Sequence, residues 1–390
     1  MIHNSFDIVV VLLFIEITVL SISAHKNFKK YFQFLPPVFW IYFLPMLAST
    51  AGLIDSKSSV YQTITTNLLP ASLFLLLIAV DIRAIMRLGK PALIMFFAGS
   101  LGIMIGTPLV FFLFKHWIGI QFWAGFGALS ASWTGGSANM IAVKEALGTP
   151  DEVFLPMVIV DTIVPYVWMG ILVALVNFQV LYDQWNRSDR RILDELSQRI
   201  SNLSANKVVK TPLPLTVFIF LIAYGGGKLS QYFANFMPVV KDAISTYAWT
   251  IIIVSVLGIL LSLTPTRKLD RFGSTRIGYL ILYFVLTSIG AKANIAHIGS
   301  TLVLIIAGFL IVFVHAIVLL FTSRFIRAPL FLVAVASQAN IGGVASAPIV
   351  AEIYQPGFAS VGLLLAILGN IIGTYFGILV GQLCRWIAGS

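Results

Sequence analysis

A single cysteine, Cys384, occurs in a chain of 390 residues, and only 10% of those residues are charged. One thiol excludes an intramolecular disulfide and any cysteine-ligated metal cluster. The five histidines show no His/Asp/Glu spacing that could hold a catalytic metal, so no metal cofactor is expected. No Ser-His-Asp set, phosphate-binding loop or dinucleotide fingerprint occurs in the context it requires, and an enzyme is not expected. Long polar stretches are missing too, so there is no room for a soluble domain. The net charge of +10 comes from small basic groups placed between apolar runs, which argues against a nucleic-acid partner.

What the chain has instead is apolar length. Of its residues 59% are apolar, and the mean hydropathy is +0.96. This is the composition of a polytopic, all-α membrane protein whose main partner is the lipid bilayer. Twelve runs are long enough to be candidate spans: 6–24, 34–54, 62–82, 91–115, 121–147, 153–180, 213–234, 246–264, 276–292, 299–322, 329–353 and 357–387. The first lacks a basic stretch before it and is followed by Lys26, Lys29 and Lys30, which reads as an uncleaved span. Residues 181–211 form a polar linker with an amphipathic look around Ile192, Leu196 and Ile200. The expected organisation is a first repeat at 1–180, this linker, and a second repeat at 212–390.

The case for a repeat rests on one motif written twice. Gly135-Gly136-x-Ala138-x₄-Val143-x-Glu145 returns as Gly342-Gly343-x-Ala345-x₄-Val350-x-Glu352. The offset of 207 residues also carries Gly170-Ile171-Leu172-Val173 onto Gly377-Ile378-Leu379-Val380. A glycine pair at the same place in two apolar halves points to two broken helices at a binding site, here 121–147 and 329–353. Basic loops at Lys26 to Lys30, Arg83 to Lys90, Arg267 to Arg276 and Arg324 to Arg327 are all expected in the cytoplasm. That pattern makes the repeats inverted, yet an offset of six spans from one repeat partner to the other, third to ninth, would leave them parallel. Either one run does not cross, with 213–234 and its Gly225-Gly226-Gly227 the first suspect, or the linker hides a crossing.

Around the glycines lie the groups that could bind something. Ser130, Thr134, Ser137 and Asn139 flank the first pair; Gln338, Asn340 and Ser346 flank the second. An unwound pair exposes carbonyls for a cation and amides for an anion, and helix ends add dipoles of both signs. Asp161 sits inside the sixth run, where a carboxylate costs about 2.5–3.5 kcal/mol and so faces an ion, a proton path or a partner. Its counterpart in the second copy is Leu368, with Asn370 nearby, so the site is asymmetric. Glu16 is a weaker candidate of the same kind. Glu145 and Glu352 fall near helix ends, where a solvated or capping carboxylate is ordinary, and Lys292 reads as a residue that snorkels to the interface. His297 and His315 are isolated.

The paired glycine elements and their neighbours, including Ala142-Val143-x-Glu145-Ala146 and Ala345-Ser346-Ala347, resemble the signatures of the domain-of-unknown-function 819 membrane family over nearly the whole chain. Ser346 stands where that family would have Thr. The family is grouped with cation/proton antiporters and with bile-acid and glutamate sodium symporters. The resemblance implies a panel (dimerisation) domain, a core with two crossing discontinuous helices, and a homodimer.

The leading expectation is a secondary transporter of the elevator type, in which Na⁺, ahead of H⁺, drives a small anionic or zwitterionic solute across the bacterial inner membrane. A Na⁺/H⁺ antiporter centred on Asp161 is the alternative, and a non-transporting sensor or assembly factor is a third.

Overall fold

The computed structural model describes residues 2–28, 31–32, 37–189, 191–200, 212–239, 245–292 and 301–389. Lys29, Lys30, His297 and linker residues 201–211 lie outside them. In chain order the helices are α1 (Ser5–Ala24), α2 (Pro37–Thr50), α3 (Val60–Ile78), α4 (Ile82–Met86), α5 (Lys90–Ile118) and α6 (Trp123–Gly135). Next come α7 (Ser137–Ala146), α8 (Asp151–Ala174), α9 (Gln179–Asn186), α10 (Arg191–Ile200), α11 (Leu213–Ala234) and α12 (Thr246–Ser262). The last are α13 (Ser274–Lys292), α14 (Thr301–Ile326), α15 (Leu330–Ile341), α16 (Gly343–Tyr354) and α17 (Ala359–Ala388). Among the described residues eight helices are long and apolar enough to span a bilayer, or nine if α12 counts with the short helix it bends into. The only extended pairing described is a single bridge between Ile2 and Ile54.

The chain divides into two compact units, each drawing on both halves of the sequence. The first holds Met1–Val80, Glu145–Thr162 and Lys207–Thr301. Its buried axis is α3. Gly226 and Gly227 of α11 lie against Phe74 and Pro70, Gly258 of α12 against Leu77, and Gly278 of α13 against Leu75. Small residues let membrane helices approach closely, and this explains Gly226 and Gly227 of the Gly225-Gly226-Gly227 run. It is a packing surface on an unbroken α11, not the break that the sequence made suspect. Lys292 does not merely snorkel, since its Nζ lies 3.7 Å from Asp151 Oδ2.

The second unit holds Asp81–Lys144, Ile163–Asn206 and Leu302–Ser390. Here α5 and α14 run antiparallel, with Gly102 against His315 and Gly106 against Ile311 and Val314. On α17, Gly369, Gly373 and Gly377 recur every four residues and form one bare stripe against Thr134, Gly135 and Ala131 of α6.

Positions along α17 show what the glycine pairs do. Ala131 lies at Gly377, and Gly135 lies at Gly369 and Gly373, so α6 advances toward the start of α17. Beyond Gly136 the path reverses: Asn139 bonds Thr374, and Val143 is back beside Gly377. The second element behaves alike. Ser337 is bonded by Trp168 and Gln338 reaches Pro165, whereas Tyr354, farther along the chain, bonds the Leu172 carbonyl. The rings of Phe331, in the first turn of α15, and Phe358, just after α16, are 5.3 Å apart. Both elements are therefore helical hairpins, α6–α7 and α15–α16, in place of the expected crossing helices. The reversals use Gly136 at φ +85° and Gly343 at φ +61°, the left-handed region that favours glycine.

The hairpins open at opposite ends of α17, which at 30 residues is about 45 Å long. Arg385, near its C-terminus, stacks over Trp123 at the mouth of the first; Phe358 marks the mouth of the second. In the linker, α10 forms where the amphipathic pattern lay, with Leu196 buried.

Candidate functional site

The candidate site residues gather at the two hairpin tips. Their flanks at 130–135 and 337–341 are buried, while 136–138 and 342–344 are only partly so. At each tip one helix ends in carbonyls and the next begins with amides, so both dipole signs meet there. The Gly136 carbonyl already accepts from the amides of Asn139 and Met140, at 3.0 and 3.2 Å.

At the first tip, Asn139 donates to the Gly135 carbonyl at 2.6 Å and accepts from the Thr374 hydroxyl at 2.5 Å. Its Nδ2 also lies 3.5 Å from the Asn370 carbonyl, which ties the hairpin to α17. Thr134 donates back to the Ser130 carbonyl at 2.9 Å, and the Ser130 hydroxyl is buried with no partner among the described residues. Ser137 and Asn370 are partly buried.

At the second tip, Gln338 donates to the Ser346 hydroxyl at 2.7 Å, and its Oε1 is buried with no partner among the described residues. A Cβ on Gly342 would collide with both of these side chains. Asn340 points away from the tip. It accepts from Ser100 at 2.9 Å and donates to the carbonyls of Phe96 and Ala336 at 3.1 and 3.2 Å, the orientation that satisfies both ends of the amide. Asp161 belongs to the first unit and is partly buried, on the stretch of α8 that precedes the second unit. Glu352 is exposed and accepts from the Gly357 amide at 3.0 Å, in the turn after α16.

A family model described as Protein of unknown function (DUF819) matches residues 11–387. The chain belongs to that family. It is also 26% identical over 355 residues, 85% of its own length and 86% of the relative's, to a Bacillus subtilis (strain 168) protein named Uncharacterized membrane protein YjcL. With its long apolar helices, this DUF819 chain is an integral membrane protein of a build compatible with transport.

In this DUF819 protein the least legible of the buried polar residues is His315. It is fully buried, with Nδ1 2.8 Å from the Gly99 carbonyl and Nε2 2.9 Å from the Ser337 hydroxyl. A carbonyl can only accept, so Nδ1 carries the proton of the neutral ring and Nε2 accepts from Ser337. Ser337 in turn accepts from Trp168 Nε1 at 2.8 Å. Four helices, α5, α8, α14 and α15, meet through this chain of bonds. Gly99 stands 216 residues from His315, and no local spacing announces such a pairing. Thr374 and Ser100 escaped notice for the same reason.

Ser337→Ala is expected to leave His315 Nε2 and the Trp168 indole N–H unbonded, while Nδ1 keeps the Gly99 carbonyl, at a cost of about 1–3 kcal/mol. Thermal unfolding in detergent measures it. Adding Trp168→Phe should cost less than the sum of the two single changes, and strict additivity would count against the network.

Proposed function

We propose that this protein is a secondary transporter in which a cation, Na⁺ ahead of H⁺, drives a small anionic or zwitterionic organic solute. The observation that carries the reading is the pair of hairpins that open at opposite ends of α17, the first with its tip at mid-length on that helix. Interrupted helices at membrane depth are tolerated only where protein or a wet cavity covers them, and transporters place substrate and coupling ion at such breaks. The amides that open α7 and α16 suit a carboxylate. Carbonyls ending α6 and α15, with Ser130 and Gln338 Oε1, supply hard oxygen for a monovalent cation.

An inverted repeat underlies this architecture in our reading. Shifted by 207 residues, α5 to α8 fall within a few residues of α14 to α17. The hairpins also remove the parity conflict. Neither adds a crossing, so only α8, α11, α12 and α13 cross between α5 and α14, and four crossings leave that pair antiparallel. The antiparallel pairing also brings Arg83, Arg87 and Lys90 to the same end as Arg324 and Arg327, which we assign to the cytoplasm. An elevator movement, a homodimer and the bacterial inner membrane complete the proposal, motivated by the family resemblance and by helical spans.

Uptake into proteoliposomes with and without a Na⁺ gradient tests the reading. Gradient-driven accumulation of an amino acid, peptide or carboxylate is the expected result; none across a broad panel would sink it. The tips' polar network uses amides, hydroxyls and one imidazole, which favours symport over proton antiport. A pH-sensitive dye that reports proton movement on Na⁺ addition, with Asp161→Asn as control, separates the two.

A further inference from the structure

Among the described residues His315 is the one fully buried imidazole, and the transport reading assigns it no ligand. The chain of bonds through it has a fixed direction. Trp168 Nε1 can only donate and the Gly99 carbonyl can only accept, so the hydrogens run from Trp168 to Ser337, from Ser337 to Nε2, and from Nδ1 to Gly99. Both ring nitrogens are thereby engaged. A second proton on Nε2 would have to displace the Ser337 hydrogen. Packing around the ring is close, since a Cβ on Gly99 would meet His315 Cε1 at 2.9 Å and collide with the Asn340 amide. These contacts include no carboxylate to hold a charged ring.

What this chain of bonds holds in place is α15. Ser337 is fixed to α8 and α14, and Asn340, one turn on, is fixed to α5 through Ser100 and the Phe96 carbonyl. With successive turns tied to three helices, α15 cannot rotate about its axis without breaking these bonds. Gln338 lies between the two ties. Its Nε2 donates across the tip to Ser346 at 2.7 Å and lies 3.5 Å from the Pro165 carbonyl, which leaves Oε1 buried and without a partner among the described residues. An unsatisfied buried acceptor opposes the conformation that presents it, so that conformation needs support from elsewhere. Ser337, the preceding residue, is where His315 supplies it.

We propose that His315 is a positioning residue for the cation at the second tip. Acting through Ser337, the neutral ring fixes the bearing of α15 that presents Gln338 Oε1, and it keeps its single proton while doing so. Groups one step behind the ligands commonly decide ion affinity by orienting them. The inference rests on the transport reading, and it sharpens that reading by assigning His315 to hydrogen bonding and not to proton carriage. A primary amide distinguishes the two. Glutamine offers an N–H for Gly99 and an oxygen for Ser337, but it cannot titrate.

Thermal unfolding of the purified full-length protein across a series of NaCl concentrations, with choline chloride holding the ionic strength constant, tests this. Wild type is expected to show a saturable rise with Na⁺, and His315→Gln to keep the same midpoint. His315→Phe fills the space without either bond, and Ser337→Ala keeps the ring but cuts its link to α15; each is expected to raise the Na⁺ midpoint about tenfold or more. Ser337→Ala stands in if His315→Phe is not recovered folded. A purely structural role lowers the unfolding temperature without Na⁺ and leaves the midpoint alone, so an unmoved midpoint in Ser337→Ala would overturn the proposal. A midpoint raised equally in His315→Gln and His315→Phe would overturn it too, because the imidazole itself would then be needed. No Na⁺ response in wild type would sink the Na⁺ part of the transport reading together with this inference, whereas a Na⁺ response indifferent to these residues sinks the inference alone.

Discussion

Gly377→Leu is expected to prevent recovery of folded protein, while Gly170→Leu at the repeat-equivalent position is expected to behave as wild type. A side chain on Gly377 would enter the Ala131 methyl and sit 3.0 Å from both Ala131 Cα and Val143 Cγ2. Two of those three atoms belong to α6 and the third to α7, so no single rotamer change makes room. Overpacking at such a contact costs about 3 kcal/mol or more, and the bare stripe through Gly369 and Gly373 has no slack to share. Around Gly170 nothing among the described residues lies within 4 Å, and a leucine there adds one more apolar side chain to an open face. Size-exclusion profiles and thermal unfolding in detergent read the difference. Equal behaviour of the two variants would mean that α6 and α17 do not pack as described.

Asn340→Asp is expected to be more damaging than Asn340→Leu, although aspartate is the closer match in shape. The NH₂ of Asn340 faces the carbonyls of Phe96 and Ala336. A carboxylate in its place sets oxygen against oxygen in a fully buried position, at a cost of roughly 3–5 kcal/mol. Leucine leaves the Ser100 hydroxyl and the two carbonyls less well bonded, and Ser100 still has the Phe96 carbonyl at 3.2 Å, so a loss of about 1–3 kcal/mol is expected. Unfolding temperatures rank the two. Saturating Na⁺ should leave both losses unchanged, because every group of this amide is directed at protein. A Na⁺-dependent rescue would return Asn340 to the ion site.

Much of the fold was legible from local signals. The amphipathic pattern around Leu196 marked α10, and the glycine pairs were read as helix breaks. What each break does to the chain was not legible. Gly-Gly permits a kink, a crossing or a reversal, and the choice depends on what the following helix packs against. Here Asn139 and Val143 find Thr374 and Gly377 on α17, and Tyr354 finds Leu172, contacts separated by 182 to 235 residues. The same holds for polar side chains. Asn340 and Ser137 look equivalent on paper, yet one is sealed against α5 and the other lies at a tip.

The sequence alone determined that this is a helical membrane protein, that its halves share a register, and that the register centres on two glycine pairs. Composition, hydropathy and spacing are local or periodic, and a single chain displays them directly. Only the tertiary structure decided that the pairs turn hairpins, that Gly377 is a contact where Gly170 is not, and that His315 joins four helices. Those outcomes follow from which surfaces meet across hundreds of residues, where sterics and hydrogen-bond satisfaction select among conformations that the local sequence leaves equally open.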